Sequence, residues 1–119
     1  MTQTYRPAEI PATELEAKPL ALPSARPISG EIITRSKVEF INDERTVISG
    51  TWESDLGTSR WEFLTRAEIV HILEGAMTVQ RDGEEAVELT TGSVAYFPLG
   101  WTGVWTVTRP VRKFYVVYK

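Results

Sequence analysis

From Glu31 onward, short runs rich in Val, Ile, Thr, Trp and Tyr are separated by single glycines, a composition that favours strands over helices. The runs are Thr46–Glu53, Arg60–Leu64, Glu68–Leu73, Met77–Arg81, Ala86–Leu89, Val94–Phe97, Val104–Thr108 and Val111–Tyr118. No ten-residue stretch carries helical periodicity, so many short strands at regular spacing predict an all-β sandwich or barrel. Strand side chains alternate between faces, which groups Glu68, Val70 and Ile72 against Ile69, His71 and Leu73. The same rule sends Lys113, Tyr115 and Val117 one way and Arg112, Phe114, Val116 and Tyr118 the other. Asp82-Gly83 reads as a two-residue type I′ hairpin that pairs Arg81 with Glu84 and Val79 with Ala86.

The first thirty residues break this pattern. Five of the seven prolines, Pro7, Pro11, Pro19, Pro23 and Pro27, fall there with a single aromatic, Tyr5. Each proline fixes φ and removes a backbone donor, so no regular strand or long helix is expected to run through the stretch. The reading is a proline-rich N-terminal arm over residues 1–30, either disordered or packing Ile10, Leu15, Leu20 and Leu22 on the barrel formed by residues 31–119, its own or a neighbour's. Pro11–Lys18 has room for one helical turn, with Thr13 as N-cap and Glu16 three residues later.

Composition narrows the function classes. With 119 residues the chain suits one domain, and 42% hydrophobic residues supply a core. Cysteine is absent, which removes disulfides, zinc thiolates and thiol nucleophiles and fits a reducing, cytoplasmic setting. A net charge of −3 without clustered Lys and Arg argues against nucleic acid. No run approaches the ~18 apolar residues of a membrane helix, and the start lacks a basic and apolar leader, so a soluble chain with no membrane partner is expected.

Glu68, His71 and the Arg112-Lys113 pair stand out. Glu68 shares its face with Val70 and Ile72, and a carboxylate among buried aliphatics needs a cation, a donor or a proton; the plain alternative is a solvated strand end. His71, the sole histidine, points to the opposite face, which argues against one metal centre using both and suggests packing or an interface. Of Arg112 and Lys113, alternation turns one inward or across an interface. Lys113 with Glu68 or Glu62 is a candidate buried couple, against the alternative of two solvated charges beside Pro110.

The stretch Glu68 to Gly75, the Asp82-Gly83 turn and Gly92-Ser93-Val94-Ala95-Tyr96-Phe97-Pro98-Leu99-Gly100 together resemble the two signature motifs of the cupin superfamily. With Gly50-Thr51-Trp52, Gly103-Val104-Trp105 and Arg112-Lys113-Phe114-Tyr115, the chain is similar to small single-domain cupins like the cupin domain of ureidoglycine aminohydrolase. The resemblance implies a double-stranded β-helix, or jelly-roll barrel, commonly a homodimer. Typical metal-binding members place an H-x-H before the glutamate and a third histidine after the Pro-x-Gly glycine. Here those positions fall on Glu62 and Leu64, or Trp61 and Phe63, and on Gly103. One glutamate, even with Glu62, is a poor ligand set for a divalent metal. No metal or other cofactor is expected.

A barrel mouth without histidines still offers a pocket for a small molecule. The candidate lining is Trp52, Arg60, Tyr96, Trp101 and Trp105 for binding, with Glu68, Glu62 and Lys113 for catalysis. Trp52 and Trp105 also suit core packing, whereas Trp101, in a Gly-Trp-Thr-Gly loop, reads as a ligand or interface contact. Three functions remain open: a metal-independent enzyme acting on a small polar, ureido-like metabolite; a non-catalytic ligand-binding module; and a dimeric scaffold using the arm.

Overall fold

The computed structural model describes residues 2–119. Nine strands form one sheet that curls over on itself: β1 (Glu16–Pro19), β2 (Arg26–Pro27), β3 (Ile33–Ile41), β4 (Val47–Ser54), β5 (Gly57–Glu62), β6 (Ala67–Arg81), β7 (Val87–Thr90), β8 (Val94–Phe97) and β9 (Thr102–Tyr118). The helical content among the described residues is a single 3₁₀ turn, Ala12–Glu14, led by Pro11 rather than capped by Thr13.

Two long strands make the spine. β6 and β9 pair antiparallel along their lengths, and each serves both halves of the fold. In one half the order is β8, β6, β9, β4, β3, β1; in the other it is β7, β6, β9, β5, β2. The bend between halves lies where the register slips around Glu74 and Ala76. Gly75 sits there at φ +88°, and a Cβ on it would collide with the Pro110 carbonyl, so only glycine allows the two strands to cross so closely. The sequence runs on either side of Gly75, and on either side of Pro110, therefore belong to single bent strands rather than to four separate ones.

Three other expectations change. The N-terminal stretch does contain strands, but β1 and β2 are short edge strands whose prolines lie at their ends, where a missing donor breaks no central ladder. β3 escaped the composition pattern because its alternating Thr, Arg, Ser, Lys and Glu make it polar on both faces. The β6–β7 hairpin pairs Val79 with Val87, one residue beyond the expected Ala86. Asp82 keeps negative φ while Gly83 takes φ +80°, and Glu84 N–H donates to Arg81 C=O at 3.0 Å. Asp82 and Gly83 are thus the central residues of a β-turn with positive φ at the second position alone, not of a type I′ turn, which needs it at both.

Aromatic rings fill the space between the two halves. Trp61 stacks on Trp105 at 3.8 Å, Phe63 lies parallel to Phe97 at 5.3 Å, and Trp101 stands edge-on to Phe97 at 5.0 Å. Val70, Ile72, Met77 and Val111 close the core around them. No helix among the described residues is long and apolar enough to cross a membrane.

Candidate functional site

Alternation on β6 and β9 turns Glu68 and Lys113 into the barrel, with Val70, Ile72 and Val117. Direct cross-strand neighbours do not meet here: Glu68 lies opposite Val117, and Lys113 opposite Ile72 and Trp52. The long lysine side chain runs along the interior instead, and its Nζ donates to Glu68 Oε2 at 2.8 Å, both groups sealed from solvent. The ammonium also lies 4.3 Å from the Trp52 ring centroid and 4.5 Å from that of Trp105. A buried charge is tolerable only when so enclosed by an opposite charge and by the negative faces of aromatic rings. Burial pushes the Lys113 pKa below the ordinary lysine value, and the Glu68 charge and hydrogen bond work against that fall.

This pair lies at the wall of a cavity of about 470 Å³. Its polar lining adds Tyr115, Ser36, Thr34 and Arg66; its apolar lining includes Trp52, Trp61 and Ile48. The chain segment from Lys18 to Ser24 covers it, anchored by Leu20 and Ala25, which are buried in the core cluster. Burial first, then the nearby Glu68 charge, raises the Tyr115 phenol to about 12, so it stays an O–H donor. A second cavity of about 270 Å³ adjoins the first, and the two share Pro23, Ser24, Trp61, Arg66 and Glu68 among their walls.

The other candidates scatter. Arg60 and Glu62 alternate outward on β5, since Ser59 and Trp61 take the inward positions. Arg60 holds Asp82 with two hydrogen bonds of 3.0 and 2.7 Å, and Thr102 adds a third at 2.8 Å. Those donors, Arg60 first, draw the Asp82 pKa down to about 2. Glu62, half exposed, reaches only the rim of the smaller cavity. Tyr96 faces outward from β8, where it accepts a hydrogen bond of 2.9 Å from the Tyr118 hydroxyl. Trp105 is a core residue, 1% exposed.

Trp101 corrects the loop argument. Its loop does demand a large ring, because the indole fills the barrel end against Phe63 and Phe97 and covers the bare Cα of Gly103. Of the eight candidate residues, then, Glu68, Lys113 and Trp52 come together at the larger cavity. Tyr115 and Arg66 join them without having been singled out. Tyr115 was findable, since it alternates with Lys113; Arg66 lies in the turn before β6, where no periodicity marks a direction.

Residues 42–115 match the family model of the EutQ-like cupin domain. The chain belongs to that family. This EutQ-like cupin is similar in structure to the EutQ protein of Clostridium difficile, at 25% identity and TM-score 0.63 over 73% of this chain and 68% of that one. It is also similar to a protein of unknown function of the DUF861 family from Pseudomonas syringae pv. tomato, at 26% identity and TM-score 0.72 over 87% of this chain. It spans only 43% of that longer protein. A putative ethanolamine utilization protein Q of Salmonella typhimurium shares the fold at 20% identity and TM-score 0.63, over 87% of this chain and 97% of that one. No curated protein matches the chain.

The metal of typical cupins does not fit this interior. The inward positions before Glu68 carry Trp61 and Phe63, and a Cβ at Gly103 would stand 2.6 Å from the Trp101 ring. Beside the one remaining carboxylate stands an ammonium rather than an imidazole. No group of three His, Cys, Asp or Glu converges among the described residues, and a divalent ion beside Lys113 would meet charge repulsion.

Proposed function

We propose that this EutQ-like cupin binds a small polar metabolite in the larger cavity, with Glu68 and Lys113 as its polar centre and Trp52 and Trp61 as its walls. The observation that carries the reading is the sealed Lys113–Glu68 pair opening onto a 470 Å³ space. Ordinary cores bury aliphatic side chains there, and a charged pair retained at a cavity wall is the arrangement of a recognition site. Ureido and related nitrogenous compounds are the first class to try, on the strength of the motif resemblance to ureidoglycine aminohydrolase cupins. Residues 31–119 form the cupin domain in this reading, residues 1–30 its arm, and the working unit is a cytoplasmic homodimer.

Recognition without turnover is favoured by one observation. Glu68 Oε2 is already taken up by the Lys113 hydrogen bond at 2.8 Å, so the carboxylate is held in place by the protein rather than left free to face a reacting group. Thermal-shift screening of ureido, amide and amino-acid compounds tests the binding claim: a compound that stabilises the wild type but not Glu68→Gln supports it. Stabilisation that survives in Glu68→Gln and Lys113→Met alike would refute it. Product analysis with the same compound separates enzyme from binding module.

A further inference from the structure

The walls of the two adjoining cavities carry more positive than negative charge, in a chain whose net charge is −3. Glu68 and Lys113 cancel each other. Glu62, at the rim of the smaller cavity, is drawn towards Arg60 on the outer face, 3.7 Å away. What remains is Lys18 on the larger cavity, Arg45 and Lys119 on the smaller and Arg66 on both. None of these four side chains has a carboxylate within ion-pair distance among the described residues. Arg66 therefore presents an unengaged guanidinium where the two spaces meet. Deeper in, Glu68 Oε2 takes the Lys113 hydrogen bond, and no protein donor among the described residues reaches Oε1. Indole rings of Trp52 and Trp61 line the same larger cavity, their centroids 4.3 and 5.7 Å from the Lys113 ammonium.

Resting on the ligand-site reading above, we propose that the occupant is a small organic anion. Its carboxylate or phosphate lies against Arg66, its flat middle against Trp52 and Trp61, and an N–H at its far end donates to Glu68. A guanidinium matches either oxyanion with two parallel hydrogen bonds. A flat body loses little on being held against an indole. A neutral analogue of the same shape keeps the aromatic and Glu68 contacts and loses only the charged end.

Three probes of one shape test this: 4-aminobenzoate, 4-aminophenyl phosphate and the neutral 4-aminobenzamide, titrated into the full chain by calorimetry. The expected result is that at least one anion binds about tenfold or more tightly than the amide, the range of a charge-assisted hydrogen bond. Which anion wins distinguishes the carboxylate from the phosphate. Arg66→Gln, a change at an exposed turn residue, should bring that ratio close to one, whereas Arg81→Gln, beside the β6–β7 hairpin, should leave it as in the wild type. Equal binding of anion and amide would overturn the anion assignment and leave the ligand site standing. A preference that survives Arg66→Gln would likewise overturn it. No binding by any probe at about 10 mM, weaker than any useful recognition, would overturn both readings.

Discussion

Lys113 on β9 reaches along the barrel interior to Glu68 on β6, and the two side chains meet at 2.8 Å, each almost wholly buried. Removing one partner leaves an uncompensated charge away from water, whereas removing both leaves an apolar site. Glu68→Leu or Lys113→Met alone should therefore each cost ~3–5 kcal/mol, and the double variant should recover most of that loss. Urea unfolding of the four proteins measures the cycle. A double variant as unstable as the sum of the singles would show that the pair contributes through packing alone.

The acid limb of stability should start at Glu53. Burial acts to raise its pKa, but the hydrogen bonds from Arg35 at 2.8 Å and Arg112 at 2.7 Å prevail, and the pKa falls below 4.5. The folded state thus binds this proton less tightly than the unfolded chain, so the stabilisation is complete above about pH 4.5 and drains away as pH falls through the folded value. Asp82, held at about 2 against 3.8, extends the same limb downward. Melting temperature against pH should fall less steeply below pH 4.5 in Glu53→Gln than in the wild type, from a lower starting point. Parallel curves for the two proteins would remove Glu53 from the account.

Tyr115 should govern an alkaline limb. Its phenol is raised from 10.0 to about 12 by burial and then by Glu68, so the folded protein keeps a proton that the unfolded chain releases. Its contribution is complete below pH 10 and is lost as pH rises towards 12. Lys113, with its lowered pKa, works in the opposite sense below 10.5, where the unfolded chain holds the proton more tightly. Tyr115→Phe isolates the tyrosine: its stability should decline less between pH 10 and 12, and absorbance titration should lose its latest-ionising phenol. A wild type whose four tyrosines all titrate near 10 would contradict the burial argument.

Gly103 stands where metal-binding cupins have their third histidine, and the ring of Trp101 occupies the space such a side chain needs. A Cβ there would also collide with the Gln80 carbonyl, which belongs to strand backbone and cannot step aside. Gly103→His should therefore lower stability by ~1–3 kcal/mol or more through overpacking. It should also gain no affinity for Zn²⁺ or Mn²⁺, because Glu68 is already committed to Lys113. Calorimetric metal titration with thermal unfolding reads both quantities, and a variant that is stabilised by either ion would reverse the conclusion drawn for the interior.

Period-two alternation made the inward set legible: Glu68 with Val70 and Ile72, and Lys113 with Tyr115 and Val117, all face the interior. It reads directions from one strand at a time, and nothing in Arg60–Leu64 tells which face is inner, so the expectation set Arg60 and Glu62 in the pocket that Trp61 lines. Long-range packing was beyond its reach. That Gly75 and Pro110 are one crossing point, or that Trp101 must cover Gly103, depends on contacts between residues far apart along the chain. The two charges at 112 and 113 show the same limit. Alternation required one of them to turn inward, but both are buried, because the outward Arg112 is covered by a segment a hundred residues away.

Arg112 Nη1 donates to the carbonyls of Pro7 and Ile10 at 2.9 and 2.6 Å, while its Nε holds Glu53. Nearby, Tyr5 stands edge-on to Phe40 at 4.8 Å and shares a hydrogen bond of 3.1 Å with Ser49. Residues 5–10 are thus fastened to the outside of β4 and β9 chiefly by one guanidinium, since proline-rich backbone there has few partners of its own. Arg112→Met removes the clasp but keeps much of the buried stem. Local opening of the segment should become about tenfold or more frequent, the equivalent of ~1.5–3 kcal/mol of hydrogen bonding to a charged group. A glutamate-specific protease should then cut at Glu9 and Glu14 correspondingly faster, while the β6–β9 spine stays intact. Arg112→Lys should fall between the two, because a single ammonium cannot span Glu53 and both carbonyls. Cleavage at the wild-type rate in Arg112→Met would mean that Tyr5 and β1, not the guanidinium, hold the segment in place.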